Sequence, residues 1–181
     1  MQVELVRRAQ RGDEEAFAAL VPAAVDRLLG VAYRILRDPE LAEDVTQQAM
    51  LIAWRKLPTL RDPERFDAWT YRLVVNACYA ETGRLRIRLT PLRLVNDDAA
   101  VVDTAPETDE RDRLDRGFRK LSIAHRTIVV LHLHVGLPFE EIAAMLDIPV
   151  GTARSRLHYA LQALRHAIEA DDAPVARRGT A

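Results

Sequence analysis

Basic and hydrogen-bonding side chains concentrate near the end of the chain, in a segment that contains no carboxylate. Between residues 148 and 168 the sequence holds three arginines and two histidines and no Asp or Glu. Guanidinium groups bind phosphate oxygens, and hydroxyl and imidazole groups can reach the edges of bases. A helix with this charge can enter a DNA groove without repulsion from the phosphates. The candidate DNA-binding side chains are Thr152, Arg154, Ser155, Arg156, His158 and Tyr159.

The pattern around these residues predicts a helix-turn-helix. Pro138 suits the first turn of a short helix, where its missing N–H is not needed, and Glu140 and Glu141 would then lie near the positive helix end. The run Asp147-Ile148-Pro149 should end that helix, and a second helix should begin near Val150.

Both predicted helices have an apolar face at helical spacing. Ala143 and Ala144 of the first are small enough for a close helix crossing. In the second we expect one packed face made of Ala153, Leu157, Ala160, Leu161 and Leu164. From the charge pattern alone, a surface helix with a solvated basic side explains this segment as well as DNA binding does.

The same residues resemble a known family. Glu140-Glu141-Ile142-Ala143 and the run from Ile148-Pro149 through Gly151-Thr152 to Arg154-Ser155-Arg156-Leu157 are similar to the pattern EEIA…IPxGTxxSRL. This pattern is typical of the promoter-binding helix-turn-helix of bacterial extracytoplasmic-function (group 4) sigma factors. The resemblance implies binding to core RNA polymerase and to promoter DNA, with the second helix at the minus-35 element. Many such relatives also have an anti-sigma factor as a partner.

A second candidate binding segment lies in the first half of the chain. Asp38-Pro39 predicts a helix start, and the helix should run to Leu57 before Pro58. We expect Leu41, Val45, Ala49 and Ile52 to face a core. The opposite sector is polar except for one apolar residue, Leu51, and such a face suits docking onto another protein.

Without a family context, an ordinary solvated amphipathic helix with one stray leucine explains this sector better. However, LAEDVTQQAMLIAW is similar to the segment by which sigma factors bind the clamp helices of RNA polymerase. The resemblance therefore implies that core polymerase contacts Asp44, Gln47, Gln48, Leu51 and Arg55.

The segment RFDAWTYRLVVNACYAETGR resembles the minus-10 region of the same family. Leu73, Val74, Ala77 and Cys78 should pack. An arginine, an amide and an aromatic group on one exposed stripe can hold phosphates and stack on an unpaired base. Trp69 fits a packing role better than a base platform. The candidate minus-10 residues are Arg65, Trp69, Arg72, Asn76, Tyr79, Arg84 and Arg86. Ala80-Glu81-Thr82-Gly83 departs from the family pattern, which often has Asp followed by arginines.

Composition excludes several other classes of protein. Of the 181 residues 49% are apolar and 29% charged, and the formal net charge of −1 is not that of a general nucleic-acid coat. The single cysteine excludes an internal disulfide and a CxxC zinc site, and His132 and His134 point to different faces of a helix. No phosphate loop, nucleophile elbow or HExxH motif is present. We therefore expect no enzyme activity, metal or cofactor.

Helical periodicity divides the chain. It is nearly continuous to about Arg88, lapses over a stretch in which residues 96–115 hold eight acids, and resumes near Asp112. We predict an all-α fold with two small helical domains at residues 1–88 and 112–170, a flexible acidic linker at 89–111 and a disordered tail at 171–181.

The predicted function and its alternatives follow from this organisation. With no leader segment and no apolar run of about 18 residues, the chain should be cytoplasmic and not inserted in a membrane. Two alternatives to a sigma factor are a non-sigma helix-turn-helix regulator that binds an operator as a dimer, and a helical protein-interaction adaptor.

Overall fold

The computed structural model describes residues 1–89 and 110–172, with side chains at residues 1–83 and 115–167. These residues form helices joined by short turns, and no strand occurs among them. The predicted all-α fold class is therefore confirmed. The chain divides into two compact units, the first of which contains the helices before residue 90 together with Leu133–Leu137.

The first unit is organised around its second helix. Its helices are α1 (Gln2–Gln10), α2 (Glu14–Leu36), α3 (Pro39–Lys56) and α4 (Phe66–Leu89), with 3₁₀ turns at Leu57–Thr59 and Pro63–Arg65. Helix α2 packs against the other three. Small, fully buried residues, Ala24 and Ala32 of α2 and Ala42, Ala49 and Ala53 of α3, let these helices approach closely.

Aspartates set the helix starts in this unit. Asp13 accepts a hydrogen bond from the Ala16 N–H (2.9 Å), and Asp38 accepts one from the Leu41 N–H (3.0 Å). These side chains satisfy N–H groups that have no partner inside the helix. The predicted start of α3 at Asp38-Pro39 is confirmed, and its end at Lys56 lies one residue before the predicted Leu57.

The second unit contains α5 (Glu110–Lys120), α6 (Ile123–Val129), α7 (Phe139–Leu146) and α8 (Val150–Asp172). A π-helical turn (Val130–His134) follows α6, and its last two residues, Leu133 and His134, belong to the first unit. Helix α8 packs against α5, α6 and α7. The predicted helix-turn-helix is present as α7, a turn at residues 147–149, and α8. Asp147 ends α7 in the left-handed conformation (φ 54°), and the Ile148 N–H donates to the Ala143 carbonyl (3.0 Å). Pro138 is the N-cap of α7, one position before the first turn in which it was expected.

The helices extend past the predicted domain limits. Residue 89 belongs to α4 and residues 110 and 111 to α5, although all three were predicted as linker, and α8 includes residues 171 and 172 of the predicted tail. Acidic residues favour a helix N-terminus, which explains the earlier start of α5 at Glu110. The rest of the predicted linker and tail lies outside the described residues, and the domain boundaries remain predictions.

Helix α2 is the most apolar of the long helices. It contains an 18-residue window with mean hydropathy 1.5, long and apolar enough by composition to cross a membrane, contrary to the expectation from the sequence. A core helix meets the same criteria. In α2, 33% of this window is buried inside the first unit, including Leu28, Val31 and Ile35.

Candidate nucleic-acid and protein interfaces

Helix α8 exposes a polar face opposite a packed one. Ala153, Leu157, Ala160 and Leu164 are buried, as the sequence predicts. Ser155, His158 and Tyr159 are exposed, with 58% of Tyr159 accessible, and the His158 and Tyr159 rings meet edge to face at 5.6 Å. The Ser155 hydroxyl donates to the Thr152 carbonyl (3.0 Å). Of the other candidates, Arg154 is exposed, whereas Thr152 and Arg156 are half-buried.

Two residues expected in the packed faces are exposed. Leu161 is 42% exposed; it follows Ala153 by eight residues, which places it about 80° from Ala153 around the helix, at the margin of the buried stripe. Ala144 is also exposed, so the close packing of α7 depends on its buried neighbour Ala143. The packed stripe is thus narrower than predicted on both helices.

Arg154 has partners on helix α7. Its guanidinium lies 3.2 Å from the Glu140 carboxylate and 5.7 Å from the centre of the Phe139 ring. Phe139 in turn stacks on His132, with ring centres 4.2 Å apart. The side chain of Arg154 nevertheless remains 61% exposed. Its remaining N–H donors can therefore contact a phosphate or a base.

Four of the candidate minus-10 residues, Trp69, Arg72, Asn76 and Tyr79, lie in the N-terminal half of α4. Arg72 and Asn76 are exposed, and Tyr79 is half-buried on the same side. Trp69 is also half-buried, 6.2 Å from the Phe66 ring, so it packs without being a fully buried core residue. Arg65 precedes the helix, in the 3₁₀ turn that Asp62 caps. Arg84 and Arg86 lie in α4, but their side chains are outside the described residues.

The other face of α4 packs as expected. Val74, Ala77 and Cys78 are buried, and Leu73 is half-buried. Burial raises the pKa of the Cys78 thiol to about 12. A thiol with this pKa stays protonated at neutral pH and is a small apolar group rather than a nucleophile.

Helix α3 presents the predicted polar sector with Leu51 set into it. Asp44, Gln47 and Arg55 are exposed and Gln48 is half-buried, while Leu51 is 54% exposed. The buried side differs in part from the prediction. Val45 and Ala49 are buried, but Leu41 and Ile52 are only half-buried, because the buried stripe is instead centred on Ala42, Val45, Thr46, Ala49, Met50 and Ala53.

An apolar groove of about 470 Å³ lies between α2 and α3, and Leu51 is one of the residues that line it. Phe17 and Val21 of α2 and Met50 and Trp54 of α3 line it. The centres of the Phe17 and Trp54 rings are 4.8 Å apart, and the two rings pack against each other in the groove wall. Leu51 is thus continuous with a larger apolar surface and is not an isolated leucine.

Comparisons with known proteins match both units. Residues 20–86 match the family model of sigma-70 region 2, and residues 117–166 match that of sigma-70 region 4. The RNA polymerase sigma-H factor of Pseudomonas aeruginosa is 32% identical over 92% of this chain and 93% of its own. The chain belongs to the sigma-70 family.

Other relatives place it in the extracytoplasmic-function group. The ECF RNA polymerase sigma factor SigW of Bacillus subtilis is 27% identical over 88% of this chain and 92% of its own. Among solved structures, CnrH in complex with the cytosolic domain of CnrY has a TM-score of 0.65 at 25% identity, covering 94% of this chain and 98% of that one. The chain is therefore a promoter-directing sigma factor, which decides against a non-sigma regulator or an adaptor.

The α2 side of the groove and the α7 partners of Arg154 were not predicted from the sequence. In this sigma factor Phe17 and Val21 are four residues apart, and this spacing was the available signal for a shared helix face. The contacts of Phe17 with Trp54 and of Glu140 with Arg154 join different helices. Periodicity within one helix does not predict such contacts. Among the described residues no group of three His, Cys, Asp or Glu side chains could hold a metal ion.

Proposed function

We propose that this sigma factor binds core RNA polymerase through the polar sector of α3 that contains Leu51, together with the adjoining apolar groove. The observation that carries this proposal is Leu51, an exposed leucine that lines an apolar groove and lies inside a polar face. Protein interfaces typically combine an apolar centre with a polar rim. Asp44, Gln47, Gln48 and Arg55 supply the rim here.

We further propose a division of DNA recognition between the two units. The acid-free face of α8 suits duplex DNA, because its basic residues can hold the backbone while smaller polar groups reach base edges. The stripe of Arg72, Asn76 and Tyr79 on α4 suits a melted strand, because unpaired bases offer faces for stacking and edges for hydrogen bonding. We assign these surfaces to the minus-35 and minus-10 elements, respectively.

The chain itself would perform no catalysis in this scheme. Its contribution is binding energy and position, and the polymerase supplies the chemistry. Because its partners are polymerase and chromosomal DNA, we infer that it works in the cytoplasm. We also infer a regulatory protein partner of the anti-sigma kind, supported by the similarity to CnrH, whose solved structure is a complex with the cytosolic domain of CnrY.

The polymerase-binding proposal is tested by Leu51→Asp. A charge in the middle of a desolvated contact should cost several kcal/mol and abolish co-elution with core enzyme. Folding should survive, because Leu51 is 54% exposed in the free chain. The matched control is Leu161→Asp, since Leu161 is an exposed leucine of the second unit and should leave co-elution intact. A folded Leu51→Asp chain that binds core enzyme with wild-type affinity would overturn the proposal.

A further inference from the structure

One carboxylate lies beside the otherwise acid-free face of α8. Glu140, at the start of α7, places its carboxylate 3.2 Å from the guanidinium of Arg154. The two side chains are 65% and 61% exposed, respectively. A pair this exposed adds little to folding stability, although the position of Glu140 near the positive end of α7 is itself favourable.

The aromatic neighbours restrict where the guanidinium can lie. Phe139 stacks on His132 with an interplanar angle of 23°, and this contact joins the start of α7 to the preceding π-helical turn. The guanidinium of Arg154 lies 5.7 Å from the centre of the Phe139 ring, within the range of a cation–π contact. Phe139 and Glu140 thus both contact Arg154, and we call these two residues the Arg154 cradle.

The cradle has opposite effects on two kinds of DNA binding. An uncompensated arginine attracts every phosphate equally, and this attraction supplies most of the affinity for random DNA. A carboxylate beside that arginine weakens the attraction to any phosphate. It uses one hydrogen bond of a group with five donors, so the guanidinium can still make directional contacts.

We propose that Glu140 is a specificity-determining residue of this sigma factor and that Phe139 is its partner in positioning Arg154. Glu140 offsets the charge of Arg154 and so weakens sequence-independent binding. The cradle also keeps the guanidinium in a position from which it can make directional contacts with promoter DNA. This inference rests on the proposed role of α8 in reading duplex DNA. It extends the recognition surface from α8 to the first turn of α7.

The test compares the full-length wild-type chain with Glu140→Gln on a duplex of about 30 random base pairs, titrated from low to moderate NaCl. Glutamine keeps the size and the oxygen of the side chain and removes the charge. We expect Glu140→Gln to bind the random duplex about twofold to fivefold more tightly. The slope of log affinity against log salt should steepen by up to about 0.9, the value for one additional phosphate contact.

Three further measurements make the result specific. Glu141→Gln removes the same charge one residue away and should change affinity and slope less, because the Glu140 carboxylate is the one that contacts Arg154. Adding Arg154→Ala to Glu140→Gln should cancel the gain. Selection by holoenzyme from a pool with a randomised minus-35 region should return a less restricted set of sequences for Glu140→Gln than for wild type.

The outcomes separate this inference from the function on which it rests. If Arg154→Ala alone weakens DNA binding but Glu140→Gln changes neither salt slope nor selectivity, α8 binds DNA and the role of Glu140 is wrong. An equal effect of Glu141→Gln would also overturn it, since the effect would then be one of general charge. If no chain binds the duplex even at the lowest salt, the proposed DNA-reading role of α8 fails as well.

Discussion

Arg154 and His158 are four residues apart on one exposed side of α8, and the structure gives them different surroundings. Arg154 is held by two residues of α7, whereas His158 has the ring of its neighbour Tyr159 beside it. Guanidinium groups favour phosphates, and an exposed imidazole can both donate to and accept from base edges. Single residues of this helix should therefore contribute differently to affinity and to selectivity.

The different chemistry of charged and smaller polar or aromatic side chains on α8 predicts two classes of variant. Arg156→Ala, which removes a charge, should weaken binding to all duplexes and lower the salt dependence by about one phosphate contact. His158→Ala and Tyr159→Ala should instead change which bases are preferred at particular positions, by about 1–3 kcal/mol at each. Selection from a randomised duplex pool, with salt titration of the selected sequences, measures both. Equal losses on every sequence for all three variants would contradict the division of roles.

Asp13 provides a prediction about pH and stability. Its carboxylate accepts hydrogen bonds from the Ala16 N–H and from Arg8, and these hold its pKa below the ordinary value of 3.8. Because the pKa is depressed in the folded state, the resulting stability is present above pH 3.8 and is lost as pH falls through the folded-state pKa.

We therefore expect Asp13→Ala to unfold at lower urea than wild type at neutral pH, with a difference that shrinks in acid. Asp13→Asn is the control, because asparagine is a comparable N-cap without the charge and should retain part of the stability at neutral pH. Urea midpoints measured over a pH series give the result. A wild-type advantage that stays constant into strong acid would show that the carboxylate charge is not responsible.

At the level of elements, the sequence was most informative where helices begin and end. Asp38-Pro39 and Asp147-Ile148-Pro149 act through local backbone chemistry, and both predictions are confirmed. The sequence was less informative about which residues at the edge of a helix face are buried. Leu41, Ile52 and Leu161 were all expected to pack, yet all three retain exposure, because burial there depends on the angle at which the neighbouring helix crosses.

The contact between α5 and α8 depends on a residue without a side chain. A Cβ placed on Gly117 would lie 3.2 Å from Leu164 Cδ2 and 3.4 Å from Ala167 Cβ. Gly117→Val should therefore overpack this crossing and lower the free energy of unfolding by about 1–3 kcal/mol. Gly151→Ala, in α8 of the same unit, is the control, since a Cβ there meets nothing within 4 Å. Chemical denaturation measures both variants, and equal stability of the two would refute the close-packing explanation.

For the whole molecule, the sequence predicted the all-α fold and the family, while its site residues remain predictions. The family was recognisable because its motifs are runs of adjacent residues. The groove beside Leu51 and the Arg154 cradle were not predicted, because each joins residues from different helices. The two surfaces also lie in different units, so neither one alone accounts for a factor that must bring polymerase to a promoter.

The most direct test of the central claim is transcription itself. Purified core RNA polymerase is given genomic DNA fragments with the wild-type chain, with Leu51→Asp, or with neither, and RNA start sites are mapped. We predict discrete start sites preceded by shared minus-10 and minus-35 elements with the wild-type chain only. Start sites that are the same with and without the chain, or that persist with a folded Leu51→Asp chain, would contradict the account.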